Sequence, residues 1–301
     1  MKDYSSYLKE DEFVIFLFHG VITKNKCSLR NYTKKHLEID EFEKVILALR
    51  AKGNPVHMND IISAHQEKSS LPPFSYAITF DDGFANNFHI AAPILKKYDT
   101  PTTFYLTSGF IENNSCSWID LIEYAVEHVE HVKFKHENIS ISSTISSKNE
   151  KIAFLDQVRD IVKFNYKIDP YQFANEIWKQ NGIKKFDPDD ELDQKMSVKE
   201  VNTLANDPLF TVGAHSHTHR IMSFLQPKDL ETEVSSSIRF LKQWTGQRIH
   251  HYSYPEGLPH CYSKTVIDCL KEHGILCCPS AIEGSNNKDT DLFHLKRVAV
   301  A

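Results

Sequence analysis

The apolar run from Phe13 to Phe18 constrains the fold more than any other stretch of this chain. An unbroken apolar run without polar alternation is typical of a strand that is buried on both faces, as in a parallel sheet covered by helices. Further strand-like runs follow, separated by helix-like segments: residues 76–80, 102–106, 210–212, 249–254, 275–278 and 295–300. About seven strands that alternate with helices predict an α/β fold with a parallel sheet, either open or closed into a barrel.

Two helices are marked clearly by their spacing and their ends. Apolar residues recur at helical intervals in residues 41–52, which stop at Gly53, and in residues 227–244, which stop before Gly246. Glycine is the preferred residue just beyond a helix C-terminus. Residues 54–74, which include two adjacent prolines, are predicted to be a loop. Residues 112–200 show helical patterns without a strong strand, and they predict a mostly helical insertion within a single domain of residues 1–301.

Composition narrows the possible partners and compartment. The net charge is −5 and no basic block is present, which argues against nucleic acid or an anionic membrane as the main partner. No stretch approaches the roughly 18 apolar residues of a membrane span. The first apolar run is too short for a signal peptide, and the six cysteines form no Cys-x-x-Cys pair. These features predict a cytoplasmic protein with free thiols, and they leave its oligomeric state open.

Asp81, Asp82 and Gly83 follow the strand predicted at residues 76–80. Two adjacent carboxylates at the end of a buried strand are costly, because an unpaired buried charge loses its hydration. Neighbouring strand residues point to opposite faces, so a turn is needed to bring both acids into one site. Gly83 supplies the conformational freedom for that turn. Taken alone, the triplet is more typical of a simple turn that ends a strand and caps a helix.

A histidine cluster far downstream changes this interpretation. His215 and His219 are four residues apart, which in a helical turn places both imidazoles on one side. Two imidazoles, one carboxylate and an open position make a hydrolytic zinc site. Ser216 stands where the His-Glu-x-x-His motif has its glutamate, so the carboxylate must come from elsewhere. Asp81 and Asp82 offer two, one to bind metal and one to act as general base, at the sheet edge where such sites form.

The sequence Thr-Phe-Asp-Asp-Gly at residues 79–83, followed by His-Ser-x-x-His at 215–219, resembles the leading motifs of the polysaccharide deacetylases of the NodB-homology type, carbohydrate esterase family 4. The resemblance runs from about Phe13 to Val300. It implies a distorted, incomplete (β/α) barrel of about seven parallel strands and the metal-dependent removal of an N-acetyl group from an amino sugar. By position, Asp82, His215 and His219 would bind the metal, usually zinc, although another divalent transition metal is possible. Asp81 would take a proton from the attacking water.

The third motif departs from the family pattern. Where the family usually has Arg-x-Pro-Tyr, this chain has Ser-Tyr-Pro-Glu at residues 253–256. The arginine that would orient the base is therefore absent at Ser253, and Arg297 is the candidate substitute. By the same resemblance, Tyr254, Pro255 and Glu256 are expected to contact the substrate.

The late acid motif of the family, Leu-x-x-His, also differs here. Residues 292–295 read Leu-Phe-His-Leu, which places His294 nearby in a different order. An acid must protonate the leaving amine, and His19 and His294 are both candidates.

The leading hypothesis is a zinc-dependent deacetylase that acts on an N-acylated sugar, with a cytoplasmic sugar intermediate preferred over extracellular chitin or peptidoglycan. A deformylase that acts on an N-formyl sugar is chemically adjacent. The alternatives are a non-catalytic carbohydrate-binding protein that retains the deacetylase fold, and an amidohydrolase of a non-sugar amide.

Overall fold

A computed structural model describes residues 2–136 and 139–301. Over these residues the strands are β1 (Val14–Phe18), β2 (Gly20–Ile22), β3 (His36–Glu38), β4 (Asn54–Pro55), β5 (Ser75–Phe80), β6 (Thr102–Leu106), β7 (Val132–His136), β8 (Ile139–Ile145), β9 (Phe210–Ala214) and β10 (Val298–Ala299). The α-helices are α1 (Ile39–Lys52), α2 (Met58–Glu67), α3 (Ala92–Lys97), α4 (Ser108–Asn113), α5 (Trp118–Glu127), α6 (Lys148–Phe164), α7 (Pro170–Gln180), α8 (Val198–Ala205), α9 (Pro227–Thr245) and α10 (Lys264–Glu272).

One parallel sheet positions the motifs. Its strands run in the order β10–β1–β5–β6–β9, and β4 pairs with β5 as a branch. Every residue of β1, β5 and β6 is buried, as expected for strands covered on both faces. The parallel α/β architecture predicted from the alternation of strands and helices is therefore confirmed.

The strands predicted at residues 249–254 and 275–278 are reduced to single parallel bridges. Tyr252 pairs with Ala214 at the end of β9, and His251 pairs with Cys277. Further backbone hydrogen bonds join these segments, from the N–H of Ser253 to the carbonyl of Ala214 and from the N–H of Leu276 to the carbonyl of His250. These two segments extend the sheet beyond β9, on the side of the site described below.

The loop predicted over residues 54–74 contains helix α2, so that prediction was wrong. The buried face of α2 consists of Met58, Ile61 and Ile62, and it is too narrow to stand out beside the prolines at 72 and 73. A reciprocal cap between His57 and Asp60 starts the helix, which satisfies backbone N–H groups at its first turn.

The insertion contains helices α5, α6 and α7, but also an antiparallel hairpin formed by β7 and β8. The hairpin was not predicted, because the alternation of buried Val132 and Phe134 with exposed lysines covers only one short strand. A hydrophobic cluster separate from that of the sheet forms the core of the insertion and includes Ile122, Phe154 and Ile177. Among the described residues, no helix is both long and apolar enough to cross a membrane.

Candidate active site

Asp81 and Asp82 lie at the carboxyl end of β5, in a turn with positive φ angles. Asp82 has φ of 75° and Gly83 has φ of 89°. The N–H of Asp81 donates to the carbonyl of Phe18, which is the last residue of β1. Both aspartates are 2% exposed, so each needs a partner for its charge. The turn brings the two neighbouring carboxylates to one edge of the sheet.

His215 and His219 follow β9 in an irregular loop, and not in the helical turn that their spacing first indicated. Ser216 and His219 adopt φ of 61° and 57°, and these left-handed residues fold the loop so that the two imidazole centroids lie 4.9 Å apart. Glu233 of α9 holds the loop by accepting hydrogen bonds from the N–H groups of His217 and Thr218, each at 2.9 Å. The rings are thus brought together by backbone conformation and by a buried carboxylate.

Asp82, His215 and His219 offer three ligand atoms within 4.8 Å of one another. Asp82 Oδ1 lies 3.7 Å from His215 Nε2 and 3.3 Å from His219 Nε2. Asp82 Oδ1 and His219 Nδ1 are buried and have no hydrogen-bond partner among the described residues. Buried polar atoms are normally satisfied, and the exceptions point to a missing ion or water. Two imidazoles and a carboxylate are also a donor set suited to zinc, so the residues present fit a divalent metal.

The protonation states of His215 and Asp82 favour metal binding at this cluster, and at His219 a metal would have to displace a proton. The carbonyl of Ser253 accepts from His215 Nδ1 at 2.9 Å, which leaves the Nε2 lone pair facing Asp82. Burial lowers the pKa of His215 below its ordinary value, so this ring is neutral at pH 7. Burial raises the pKa of Asp82, but the charges of Lys35 and His219 outweigh burial and hold it well below its ordinary value. Burial likewise lowers the pKa of His219, and Asp82 reverses this and raises it.

Asp81 is held by Arg297 in a bidentate ion pair. Arg297 Nη1 donates to Asp81 Oδ1 and Nη2 donates to Oδ2, both at 2.8 Å. The guanidinium is 1% exposed, and its Nε donates to the carbonyl of Ser280 at 2.6 Å. The Ser253 hydroxyl donates to Asp81 Oδ1 at 3.3 Å. The side chain predicted as a substitute for the motif arginine therefore contacts the carboxylate that it was expected to orient.

Lys35 also contacts Asp82, a role that the sequence does not predict. Its Nζ lies 3.0 Å from Asp82 Oδ2 and 3.2 Å from Asp120 Oδ1, and its side chain is 19% exposed. Asp82 therefore presents Oδ1 to the histidines and Oδ2 to a lysine. No signal in the sequence marks this residue, because Lys35 lies in a polar stretch between two short strands, far from any motif.

The two acid candidates lie in different environments. His19 follows β1 at the same sheet edge as Asp81, and burial lowers its pKa to about 4 although the charge of Asp82 opposes this. His294 is exposed, and its Nδ1 lies 3.4 Å from the hydroxyl of Tyr262. Among the described contacts His294 touches none of the clustered residues. Both residues stay predictions for the acid, and of the two only His19 lies at the sheet edge that carries Asp81.

The three residues predicted to contact the substrate lie in different environments. Tyr254 is 0% exposed, stacks on Tyr262 with centroids 4.1 Å apart, and donates its hydroxyl to the carbonyl of Phe293. Pro255 is also buried. These placements argue against the substrate contacts predicted for Tyr254 and Pro255, whose side chains serve packing. Glu256 differs, because its carboxylate lies 2.6 Å from Lys163 of α6 and borders a cavity.

That cavity has a volume of about 260 Å³ and lies between the insertion and the histidine loop. His219 and Glu256 line it from the sheet side, and Trp118, Lys163 and Tyr166 line it from the insertion. A larger cavity of about 570 Å³, lined by residues 10–13, 61–73 and 287–292, contains none of the predicted site residues. Because His219 lines the smaller cavity, a ligand bound there can reach the cluster.

The sequence profile of the family described as polysaccharide deacetylase matches residues 68–277 of this chain. The match covers more than half of the 301 residues and includes both leading motifs. This chain belongs to the polysaccharide deacetylase family. The resemblance inferred from residues 79–83 and 215–219 is confirmed, and membership implies a carbohydrate substrate. Members of this family generally use a divalent metal, in agreement with the ligand atoms described above.

The fold is similar to those of solved deacetylases at low sequence identity. Deacetylase PplD of Streptococcus pyogenes, solved in complex with acetate, is 14% identical with a TM-score of 0.62, over 97% of this chain and 93% of that chain. IcaB from Ammonifex degensii is 16% identical with a TM-score of 0.61, over 98% and 94% of the two chains. The de-N-acetylase of Aggregatibacter actinomycetemcomitans is 15% identical with a TM-score of 0.60, over 96% and 94%. These likenesses show the shared fold. No curated protein sequence matches the chain significantly.

Proposed function

We propose that this family member is a metal-dependent hydrolase that removes an N-acetyl group from an amino sugar within a saccharide. The main support for this proposal is that three ligand atoms converge: Asp82 Oδ1, His215 Nε2 and His219 Nε2. Asp81 lies beside them and is not needed as a fourth ligand. This convergence separates the two adjacent acids into different roles. The aspartate facing both histidines binds the metal, which is zinc by the chemistry of the donor set. The aspartate paired with Arg297 handles the proton.

The metal, when bound, polarises the amide carbonyl and makes a water acidic enough to attack near neutral pH. Asp81 accepts the proton of that water. Its Oδ2 lies 3.7 Å from His215 Nε2, at the edge of the ligand cluster, so it is close to where the water must attack. Arg297 keeps the Asp81 carboxylate ionised and fixed in orientation, as a general base requires.

The leaving amine needs a proton when the C–N bond breaks. Hydrolysis consumes one water and releases acetate and an amine. The proton that Asp81 takes from the water therefore supplies the proton that the leaving amine requires. His19 lies at the same sheet edge as Asp81 and is the candidate for delivering the proton. The 260 Å³ cavity beside His219 admits the sugar from the side of the insertion.

The test measures acetate and free-amine release from N-acetylated and N-formylated amino sugars and oligosaccharides, together with metal affinity. We expect Asp81→Asn to lower kcat by about 10²–10⁴-fold while metal binding persists, because general-base catalysis contributes about that factor. Asp82→Asn is expected to lose the metal. Undiminished turnover by Asp81→Asn would contradict the assignment of the base. Tight metal binding with no turnover on the whole panel would favour the carbohydrate-binding alternative.

A further inference from the structure

A second group of metal-ligating side chains lies on the outer helices. Glu231 of α9 faces Cys269 of α10 and His273, which caps the C-terminus of α10. Each offers one ligand atom, and the three atoms lie within 4.8 Å of one another. Glu231 Oε1 lies 3.0 Å from His273 Nε2, and Glu231 Oε2 lies 3.7 Å from Cys269 Sγ. The group shares no residue with the candidate active site.

The hydrogen bonding of His273 directs its Nε2 atom towards Glu231, where either a proton or a metal ion can link the two side chains. His273 Nδ1 lies 2.9 Å from the carbonyl of Cys269, and a carbonyl can only accept, so Nδ1 carries a proton. In the neutral ring, Nε2 then presents a lone pair to a carboxylate oxygen only 3.0 Å away. Two acceptors at this distance repel each other unless a proton or a metal ion lies between them. A backbone carbonyl bound to the other ring nitrogen is also the usual support of a metal-binding histidine.

The helices hold the three donors in place before any ion binds. Cys269 and His273 are four residues apart at the end of α10, which brings their side chains onto one side. Buried Val266 and Leu270 fix the inner face of α10, and buried Val234 fixes that of α9. A site assembled on packed helices needs little ordering when it binds a ligand. Glu231 is exposed, so solvent and an ion can reach the group.

We propose that Glu231, Cys269 and His273 form a second zinc site, in which a water completes the coordination. Thiolate, imidazole and carboxylate together suit zinc, and magnesium or calcium would prefer oxygen ligands alone. Binding replaces the S–H bond of Cys269 with a bond between sulfur and zinc, and the thiol proton passes to solvent. The ion would link α9 to α10, and α9 is the helix whose Glu233 holds the histidine loop.

Cobalt(II) can test this site specifically. It occupies zinc sites and gives a near-ultraviolet charge-transfer band when a thiolate binds it. The Asp82–His215–His219 cluster contains no thiolate, so the band reports the second site alone. We expect the metal-free wild-type protein to develop the band on titration with cobalt. Asp82→Asn should keep the band and Cys269→Ser should lose it. Absence of the band in the wild-type protein, or its persistence in Cys269→Ser, would overturn the proposal.

Cys27→Ser is the matched control, because Cys27 is also half-buried and burial raises the pKa of both thiols to about 11. This variant should keep the band. Zinc content after gel filtration should be two ions per chain in the wild-type protein and one in Cys269→Ser or His273→Asn. One ion per chain in the wild-type protein, lost in Asp82→Asn, would contradict the second site and leave the active site intact. An unchanged far-ultraviolet spectrum shows that each variant is folded.

Discussion

Arg297→Met removes the partner of a buried carboxylate and tests whether this long-range ion pair stabilises the site. The side chains of Arg297 and Asp81 are 1% and 3% exposed. Breaking a buried pair by removing one partner costs about 3–5 kcal/mol, because the other charge stays behind without compensation. Asp81 can avoid being an unpaired buried charge by taking up a proton. At pH 7 this costs about 4 kcal/mol for a carboxyl with an ordinary pKa of about 3.9, at about 1.4 kcal/mol per pH unit.

Whether Asp81 stays ionised without a partner or becomes protonated, the free energy of unfolding should fall by about 4 kcal/mol at pH 7. The size of this loss depends on pH. Burial raises the pKa of Asp81, but Arg297 and His215 outweigh burial and lower it below the ordinary value. In the wild-type protein the ionised carboxylate therefore stabilises the fold above pH of about 4, and this contribution disappears as the pH falls through the lowered pKa. In Arg297→Met we expect burial to raise the pKa of Asp81 above the ordinary value, so that the carboxyl favours folding only while it is protonated. The difference between the two proteins should shrink as the pH falls from 7 towards about 4.

The assay is urea unfolding of wild-type protein, Arg297→Met, Asp81→Asn and the double variant, with a chelator present so that metal binding does not contribute. Each single variant leaves one buried charge unpaired, whereas the double variant leaves none. We therefore expect the double variant to be at least about 2 kcal/mol more stable than the sum of the single effects implies. Arg297→Lys keeps a positive charge but loses the bidentate geometry and the hydrogen bond to Ser280. Its free energy of unfolding should therefore lie between those of the wild-type protein and Arg297→Met. Additivity within about 0.5 kcal/mol, at both pH 7 and pH 5, would refute the reasoning.

Three further changes test other parts of the site. Lys35→Met should weaken zinc binding by about 10–100-fold in a competition titration, because Lys35 orients the Asp82 carboxylate, and unchanged affinity would remove that role. Lys35→Arg, which keeps a charged donor, is the control and should retain most of the affinity. Glu233→Gln should lower the free energy of unfolding by about 1.5–3 kcal/mol in urea, because an ionised acceptor of two loop N–H groups is lost, and a loss below about 0.5 kcal/mol would count against this anchor. Gly109→Ala places a Cβ 2.4 Å from the carbonyl oxygen of His217, so it should lower both the melting temperature and zinc affinity, whereas an unchanged melting temperature would show that the loop yields without cost.

The parallel sheet and the pairing of the two motifs could be predicted because each rests on local patterns. The buried runs of β1, β5 and β6 are continuous in sequence, and polar residues follow β5 and β9 directly. Carboxyl ends of neighbouring parallel strands meet at one edge, so Asp82 and His215 could be placed together without knowing any contact. The conformation of the histidine loop could not be predicted from spacing alone, because left-handed backbone at Ser216 replaces a helical turn.

Elements that depend on tertiary packing were predicted less well. Helix α2 has a buried face of three residues, and its hydrophobic pattern is too short to outweigh the prolines around it. The β7–β8 hairpin is stabilised by the core of the insertion, in which Phe134 packs edge-on against Phe173 of α7. Lys35 gains its importance only through Asp82 and Asp120, which are 47 and 85 residues away in the chain. A charged residue in a polar segment is ordinarily solvent-exposed, so nothing local distinguishes this one.

The serine at position 253 shows how the roles of the missing motif arginine are divided. Ser253 lies between the two functional groups: its hydroxyl donates to Asp81 Oδ1, and its carbonyl accepts from His215 Nδ1. A serine cannot supply the positive charge that a buried carboxylate needs, and Arg297 supplies it from the segment that leads into β10. Because Arg297 already occupies both oxygens of Asp81, a second guanidinium at position 253 would be buried without a free carboxylate to pair with it. Ser253→Arg alone should therefore destabilise the protein, whereas the same change combined with Arg297→Met should recover part of the lost stability in urea unfolding. Equal destabilisation in the single and combined variants would show that the two positions do not compensate for each other.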